Sequence, residues 1–579
     1  MRFSQYSSCC FCFVLSFFCG GTLFSQENKI ELLRPQDNAQ ANVPVRKSPL
    51  TISSSPSRTS SVPILSEKPS QISSPSNAAK IARTSDSPER TSQISETSEA
   101  SESYDPIAVN GEYFVGWQKP KLAMVFTGPI AGYIEPCGCA GIEQMKGGLS
   151  RRATFFNELW DKQWPVIAID AGGIVNKFGR QQEMKFQMAA TALQEMKYDA
   201  VGLGKDDLRL PATELLAVTI TASAKNPSFF TSANVGVFGF DPIYTAPYRV
   251  IERNGYKVCV TSVVGKTWQS EISNSEIKMA DPVTKLKELL PAMLREKAHY
   301  MVLICHAPVA ETNKIAKAFP EFGIIFCVDT PSEPPLTPQV NQDGRVQYMI
   351  ETGEKGKYAV VLAFFDDEKE QVKYQRVAFD SRYKNAGTIV SLMGVYQKNI
   401  KRDLDANGFA ALGIRPVPAP EAEQLGRFVG SEKCVSCHEE SYRVWKKSKH
   451  AQAWHSLVET SVPPRIYDPE CVSCHVVGWN PKEMYPYISG FSNEKEKITD
   501  HLTNVGCESC HGPGEKHCAA EVGSNTELQD KLRETLHITP SASKKLCYMC
   551  HDLDNSPDFD FDQYWTQIQH KELLDPNEE

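Results

Sequence analysis

Short, almost wholly apolar runs recur through the middle of the chain, separated by segments in which apolar residues repeat every three or four positions. The first kind has strand length and the second has helical periodicity. Because strands alternate with amphipathic helices, the pattern predicts a layered α/β domain with a central sheet over residues 106–398. The predicted strands are Leu122–Phe126, Val166–Ile169, Val258–Val263, Met301–Ile304, Ile324–Cys327 and Tyr358–Phe365, and the predicted helices include Arg151–Leu159, Met184–Met196 and Val283–Leu290.

The N-terminal region has a different pattern. Residues 1–26 combine Arg2 with a short apolar run from Cys12 to Phe18 and small residues after it, which predicts a cleaved signal peptide and export to the periplasm or beyond. Residues 27–105 are rich in Ser, Thr and Pro, which predicts a disordered stalk. No segment is long and apolar enough to predict a membrane span. A lipid anchor at Cys19 is the less favoured alternative, because Ser16-Phe17-Phe18 lacks the expected small residues.

After a predicted linker at 399–428, residues 429–579 contain four Cys-x-x-Cys-His motifs. This motif attaches c-type haem, with two thioether bonds from the cysteines and the histidine as the proximal iron ligand. Zinc sites and disulfides are the alternatives, but zinc does not require a histidine after every second cysteine. The prediction is four covalent haems c, attached at Cys434 and Cys437, Cys471 and Cys474, Cys507 and Cys510, and Cys547 and Cys550, with His438, His475, His511 and His551 as proximal ligands.

The distal ligands are expected to be histidines. Methionine is scarce in this region, whereas six further histidines are present, so bis-histidine ligation is the economical expectation. A single helix from about Ser441 to Val458 is expected to carry His450 and His455, which five residues of helix would turn toward different haems. Four haems in so short a segment predict a mainly helical domain whose porphyrins form much of its core.

The C-terminal motifs resemble the tetrahaem cytochrome c-554 family. The resemblance lies in Lys449-His450-Ala451-Gln452-Ala453, in the stretch from Gly506 to Gly514 with His517 after it, and in Tyr564-Trp565 followed by Ile568 and His570. It implies that His450, His517 and His570 are distal ligands, that most haems are bis-histidine, and that one haem lacks a distal protein ligand. The weaker distal candidates are His455, His501 and His537.

Residues 106–398 resemble the metallophosphoesterase domain of periplasmic 5′-nucleotidases, with most metal ligands missing. Thr127-Gly128-Pro129 replaces Asp-x-His, and Gly173 replaces the metal-binding aspartate after Asp170. Gly204-Lys205-Asp206 replaces Gly-Asn-His, whereas His306 matches a later ligand. Two hydrolytic metals need several convergent donors. The domain is therefore expected to be non-hydrolytic, with a metal-dependent phosphoesterase as the second alternative.

Two further features leave their interpretation open. Cys137 and Cys139 are soft donors that could bind a metal with His306, although a glycine-rich turn or a local disulfide is favoured. Arg151 and Arg152 are expected to pair with carboxylates on a helix face, and the glycines before them also allow anion binding.

These patterns predict an exported electron-transfer protein whose partners are redox proteins and whose α/β domain docks or binds a partner. The alternative is a haem enzyme that acts on a small nitrogen or oxygen species at a five-coordinate haem. The net charge of −8 argues against nucleic acid as a partner.

Overall fold

The computed structural model describes residues 104–138, 141–219, 228–341, 347–366, 371–460, 463–495 and 497–570. All of them lie in one compact unit, Thr97–Glu579. The predicted signal peptide, Cys19, almost all of the predicted stalk, and Cys139 lie outside the described residues. Within the described residues, no helix is both long and apolar enough to cross a bilayer.

In the residues that the structure describes, the α/β part contains thirteen strands. They are β1 (Leu122–Thr127), β2 (Val166–Asp170), β3 (Ala200–Val201), β4 (Val235–Val237), β5 (Arg249–Arg253), β6 (Tyr256–Val264), β7 (Ile277–Met279), β8 (Tyr300–His306), β9 (Ile324–Cys327), β10 (Gln339–Asn341), β11 (Gln347–Ile350), β12 (Tyr358–Phe364) and β13 (Val372–Ala378).

Eight α-helices within the described ranges accompany these strands. They are α1 (Pro106–Asn110), α2 (Leu149–Asp161), α3 (Arg180–Glu195), α4 (Ala212–Thr219), α5 (Lys266–Gln269), α6 (Pro282–Arg295), α7 (Val309–Ala318) and α8 (Gly387–Asn407).

The strands form two large mixed sheets and one small pair. The first sheet has the order β13-β12-β1-β2-β3, and the second has the order β10-β11-β9-β8-β6-β5. In the first sheet β1 pairs parallel with β2, Phe126 opposite Ile169, and antiparallel with β12, Phe126 opposite Val360. Strands β4 and β7 pair separately.

The two large sheets pack face to face between helical layers. Met124 and Phe126 of the first sheet share a buried core with Val260, Ile304 and Phe326 of the second. Residues of α2, α3 and α8 cover the outer face of the first sheet, and residues of α6 and α7 cover that of the second. Both faces of each central strand are buried, which explains their continuous apolar sequences.

This architecture confirms the predicted α/β layered sandwich, although it has two sheets where the sequence pattern suggested one central sheet. The predicted strands are all observed, with ends that differ by a residue or a few. Helix α8 runs without a break through residue 398, where the α/β domain was predicted to end.

The C-terminal part is mainly helical. Its helices are α9 (Ala422–Leu425), α10 (Glu439–Lys447), α11 (Ala453–His455), α12 (Pro469–Val472), α13 (Cys507–His511), α14 (Glu515–Glu521), α15 (Thr526–Leu536), α16 (Pro540–Cys547) and α17 (Phe561–Ile568), and β14 (Trp479–Asn480) pairs with β15 (Tyr485–Pro486).

The expected single helix from Ser441 to Val458 is wrong. Helix α10 ends at Lys447, and Ser448 has extended backbone angles, φ −78° and ψ 159°. A 3₁₀ turn at Lys449–Gln452, helix α11 and a π-helical turn at Ser456–Thr460 follow. The break at Ser448 gives His450 a direction that a continuous helix would not allow.

Candidate functional site

The cysteines of the four motifs lie on short helical turns. Cys507 to His511 form the whole of α13, Cys471 lies in α12, and Cys547 ends α16, whereas Cys434 follows a 3₁₀ turn at Ser431–Lys433. Residues three apart on a helical turn face the same side. Each motif can therefore present both thiols to one porphyrin edge.

Three imidazole pairs join a motif histidine to a histidine elsewhere in the C-terminal part. The ring centroids of His438 and His517 are 6.1 Å apart. Those of His551 and His450 are also 6.1 Å apart, and those of His511 and His570 are 5.9 Å apart. The three non-motif histidines are those that the cytochrome resemblance implied as distal ligands.

These separations fit two imidazoles on opposite faces of one iron. A metal–imidazole bond is about 2 Å long, so two trans nitrogens are about 4 Å apart and the ring centroids roughly 6 Å apart. The donor set therefore fits haem iron, which takes imidazole at one or both axial positions.

Hydrogen bonds at Nδ1 orient three of the four motif histidines. His511 Nδ1 donates to the Leu536 carbonyl at 2.8 Å, and His475 Nδ1 donates to that of Ala453 at 2.6 Å. His551 Nδ1 lies 2.9 Å from Ser556 Oγ. Such bonds fix the ring and leave Nε2 to bind a metal.

Burial favours the neutral form of His450, His511 and His551, which is the form that binds a metal. It lowers the pKa of His450 to about 4, and the neighbouring His551 and His475 add to this effect. Burial also lowers the pKa of His511 and of His551.

The weaker distal candidates differ from the three paired histidines in their ring partners and not in exposure, since His570 is exposed as well. His455, His501 and His537 are exposed. His455 Nδ1 lies 3.5 Å from the Glu459 carboxylate on the same helical stretch. None of the three is in the imidazole pairs described above.

The motifs are neighbours of one another in a definite order. Cys434 and Cys507 share a side-chain hydrogen bond, which raises the pKa of Cys434 and lowers that of Cys507 to about 7. Burial, followed by the nearby Cys547, raises the pKa of Cys510 to about 12. The hydrogen bond that Cys550 donates to Cys474, and then burial, raises the pKa of Cys550. The spatial order of the motifs is first, third, fourth, second.

The α/β part has an ion pair where its resemblance placed metal ligands. Asp170 Oδ2 accepts hydrogen bonds from Arg152 at 2.9 Å and from Thr127 Oγ1 at 2.6 Å. Both charged side chains are buried, with 1% and 0% exposed. The sequence pointed to a helix-face carboxylate for Arg152, but its partner lies at the end of β2.

The other positions of that resemblance do not converge on a metal site. His306 Nε2 lies 2.5 Å from the Ala171 carbonyl, and burial lowers the pKa of His306 to about 4. Arg151 donates to the Ile142 carbonyl at 2.7 Å. Within the parts of the chain that the structure describes, no group of three or more His, Cys, Asp or Glu side chains could hold a metal ion.

Sequence reasoning missed the residues through which the α/β part contacts the haem-motif segments. Lys185 of α3 pairs with Glu470, the residue just before Cys471. Asp468 accepts hydrogen bonds from Gln181 of α3 and Gln397 of α8. The helical pattern placed Lys185 inside a helix. A lysine between Met184 and Phe186, in an otherwise core-facing stretch, was the available signal.

Comparisons with known proteins give two partial similarities. Cytochrome c-554 of Nitrosomonas europaea is 40% identical over 99 residues, which is 15% of this chain and 39% of that cytochrome. The chain therefore spans well under half the length of this relative.

Solved phosphoesterases are similar to the chain as well. A 5′-nucleotidase precursor from Thermus thermophilus has a TM-score of 0.41 and 16% identity, covering 55% of this chain and 68% of its own. The Haemophilus influenzae NAD nucleotidase has a TM-score of 0.38 and 14% identity, and the match covers 49% of this chain and 61% of the nucleotidase. A calcineurin-like phosphoesterase from Bacillus subtilis has a TM-score of 0.37 and 18% identity, and the match covers 48% of this chain and 97% of that phosphoesterase.

Both resemblances noted in the sequence are thus found, each over part of the chain. Over residues 433–512, which include the first three Cys-x-x-Cys-His motifs, the chain matches the family described as cytochrome c554 and c-prime.

Proposed function

We propose that this protein is an exported tetrahaem c-type cytochrome that transfers electrons between redox proteins. The observation that carries the proposal is the set of three imidazole pairs, each with a motif histidine on one side. An iron with imidazole on both faces has no open position for a substrate. Three such haems therefore favour electron transfer over chemistry at the iron.

The distal ligands in this proposal are His517 for the haem at His438, His450 for that at His551, and His570 for that at His511. The contacts among the motif cysteines support a relay in the order first, third, fourth, second. Neighbouring attachment cysteines bring neighbouring porphyrins close, and each step of the relay then joins adjacent haems. The partners at the two ends are redox proteins in the periplasm or outside the cell.

The α/β part is non-hydrolytic in this proposal. The Arg152 guanidinium lies against Asp170, the aspartate that survives from the metallophosphoesterase motif. A fixed positive charge there repels a divalent cation and already satisfies the carboxylate. The loss of Asp at Gly173 and of Asn at Lys205 removes further ligands.

The number of haems is tested by removing attachment sites one at a time. Intact mass and the pyridine haemochromogen assay on the purified exported protein should give four covalent haems per chain. Replacing both cysteines of one motif, for example Cys547→Ala with Cys550→Ala, should remove one haem, because each motif forms both thioether bonds to its own porphyrin. Cys518→Ala, outside the motifs, is the matched control and should retain four.

Two results would contradict the proposal. One is a wild-type protein with fewer than four haems, and the other is pigment that acid–acetone extracts from the chain.

A further inference from the structure

A buried lysine of the α/β part contacts the residue just before the second haem motif. Lys185 of α3 is 2% exposed. Its Nζ lies 2.5 Å from Glu470 Oε2 and donates to the Gly132 carbonyl at 2.9 Å. Glu470 precedes Cys471 on the short helix α12. The ion pair therefore joins the two parts of the protein at a haem attachment point.

Other contacts hold the same segment against the α/β part. Asp468 accepts hydrogen bonds from Gln181 Nε2 at 2.8 Å and from Gln397 Nε2 at 3.0 Å. On the other side of the segment, Arg465 Nε donates to Glu135 Oε1 at 2.5 Å. Helices α3 and α8 and the loop after β1 thus form a wall against the segment that leads into the second motif.

Charges in this wall act through little solvent. The Coulomb energy of a charge pair rises as the effective dielectric falls, so a buried charge acts more strongly on a neighbouring redox centre than an exposed one does. Lys185 Nζ reaches the carboxylate of Glu470, which directly precedes Cys471. Lys185 therefore lies within electrostatic range of the second haem's attachment point.

We propose that the charges of Lys185 and Glu470 act in opposite senses on the midpoint potential of the haem attached at Cys471 and Cys474, and that the α/β part is the wall of that haem site. This rests on the proposed cytochrome function. Reduction adds one electron to the ferric iron, and nothing else changes. A fixed positive charge favours the reduced form and raises the potential, whereas the carboxylate of Glu470 lowers it.

The test compares Lys185→Met, Glu470→Gln and the double variant in a spectroelectrochemical titration of the four haems. Lys185→Met should move one reduction step to lower potential, and Glu470→Gln should move the same step to higher potential. The double variant should lie nearer the wild type than either single variant, because the two charge changes cancel. The matched controls are Lys285→Met and Glu288→Gln, which remove a partly exposed ion pair on α6 with 2.8 Å between Nζ and Oε2, and neither should move a step.

A merely structural role gives a different pattern. Loss of either partner would then loosen α12, and both single variants would shift the step in the same direction, which would overturn the inference. Unchanged potentials in both would overturn it too. If Lys185→Met does not accumulate, Glu470→Gln decides alone: a raised step supports the inference and an unmoved step refutes it. Haem content, counted on the same samples, reports separately on the cytochrome proposal.

Discussion

The carboxylate of Asp207 binds the backbone of the loops where the metallophosphoesterase resemblance places metal ligands. It is fully buried, and its oxygens accept hydrogen bonds from the backbone amides of Gly173 at 2.8 Å, Gly204 at 2.9 Å and Val175 at 3.1 Å. These bonds favour the ionised form, but burial outweighs them and raises the pKa of Asp207 to about 7.

This pKa makes the stability of the α/β part depend on pH. An unfolded aspartate titrates near pH 4, so between about pH 4 and pH 7 the folded state binds more protons than the unfolded state. The contribution of Asp207 to the free energy of unfolding therefore falls as pH rises through this range. His306 acts in the opposite sense, because its folded pKa lies below its unfolded value.

Asp207→Asn isolates the effect, since His306 is common to both proteins. As the pH rises from 5 to 8, the variant should gain roughly 2 kcal/mol of stability relative to the wild type, because it carries no charge to bury. Urea unfolding followed by far-ultraviolet circular dichroism at the two pH values measures this difference. A constant difference between the two proteins would show that Asp207 is ionised throughout.

Arg152 marks the limit of prediction at the residue scale. The sequence showed that metal ligands are missing, because each loss is visible at a motif position. It could not show that the guanidinium of Arg152 reaches Asp170, since that contact depends on how α2 packs against the end of β2. An ion pair between two elements depends on how those elements pack, and the local sequence pattern does not predict it.

Among the elements, the segment after α10 shows how a local rule can fail. The apolar and polar spacing from Ser441 to Val458 fits one helix, yet the helix ends at Lys447. Trp445 Nε1 donates to the Val505 carbonyl at 2.7 Å, and the Val505 amide donates to the His450 carbonyl at 3.2 Å. These contacts with a distant segment hold the turn that directs His450 toward His551.

His450 and His455 form a matched pair for testing this element. His450→Ala should convert one haem from low spin to high spin, because the iron at His551 loses its second imidazole. His455→Ala should leave all spin states unchanged, since its side chain is exposed beside Glu459. Electron paramagnetic resonance of the oxidised variants gives the answer. A high-spin signal from His455→Ala alone would reverse the assignment.

On the scale of the whole molecule, the two parts share one hydrophobic core. Ile389 and Met393 of α8 belong to the same buried cluster as Val472 and Trp479 of the haem-motif region. Lys357 also pairs with Asp554, three residues after His551, at 2.7 Å. The α/β part therefore contacts the segments of both the second and the fourth motif, which are themselves neighbours.

The sequence predicted the layered α/β class and the four motifs because both leave local signatures, in periodicity and in spacing. The docking of the two parts left no such signature. It depends on residues such as Lys185 and Glu470, which are far apart in the chain and are ordinary for their own elements. The prediction of a linker at 399–428 likewise gave no sign that α8, which runs into this range, packs against both the α/β part and the haem-motif region.

The central claim is that histidine pairs ligate most of the haem irons. Electron paramagnetic resonance of the fully oxidised protein, with the haem content measured on the same sample, tests this claim most directly. The account predicts four haems per chain, with low-spin ferric signals from at least three of them. Fewer than three low-spin irons in a fully loaded chain would contradict it.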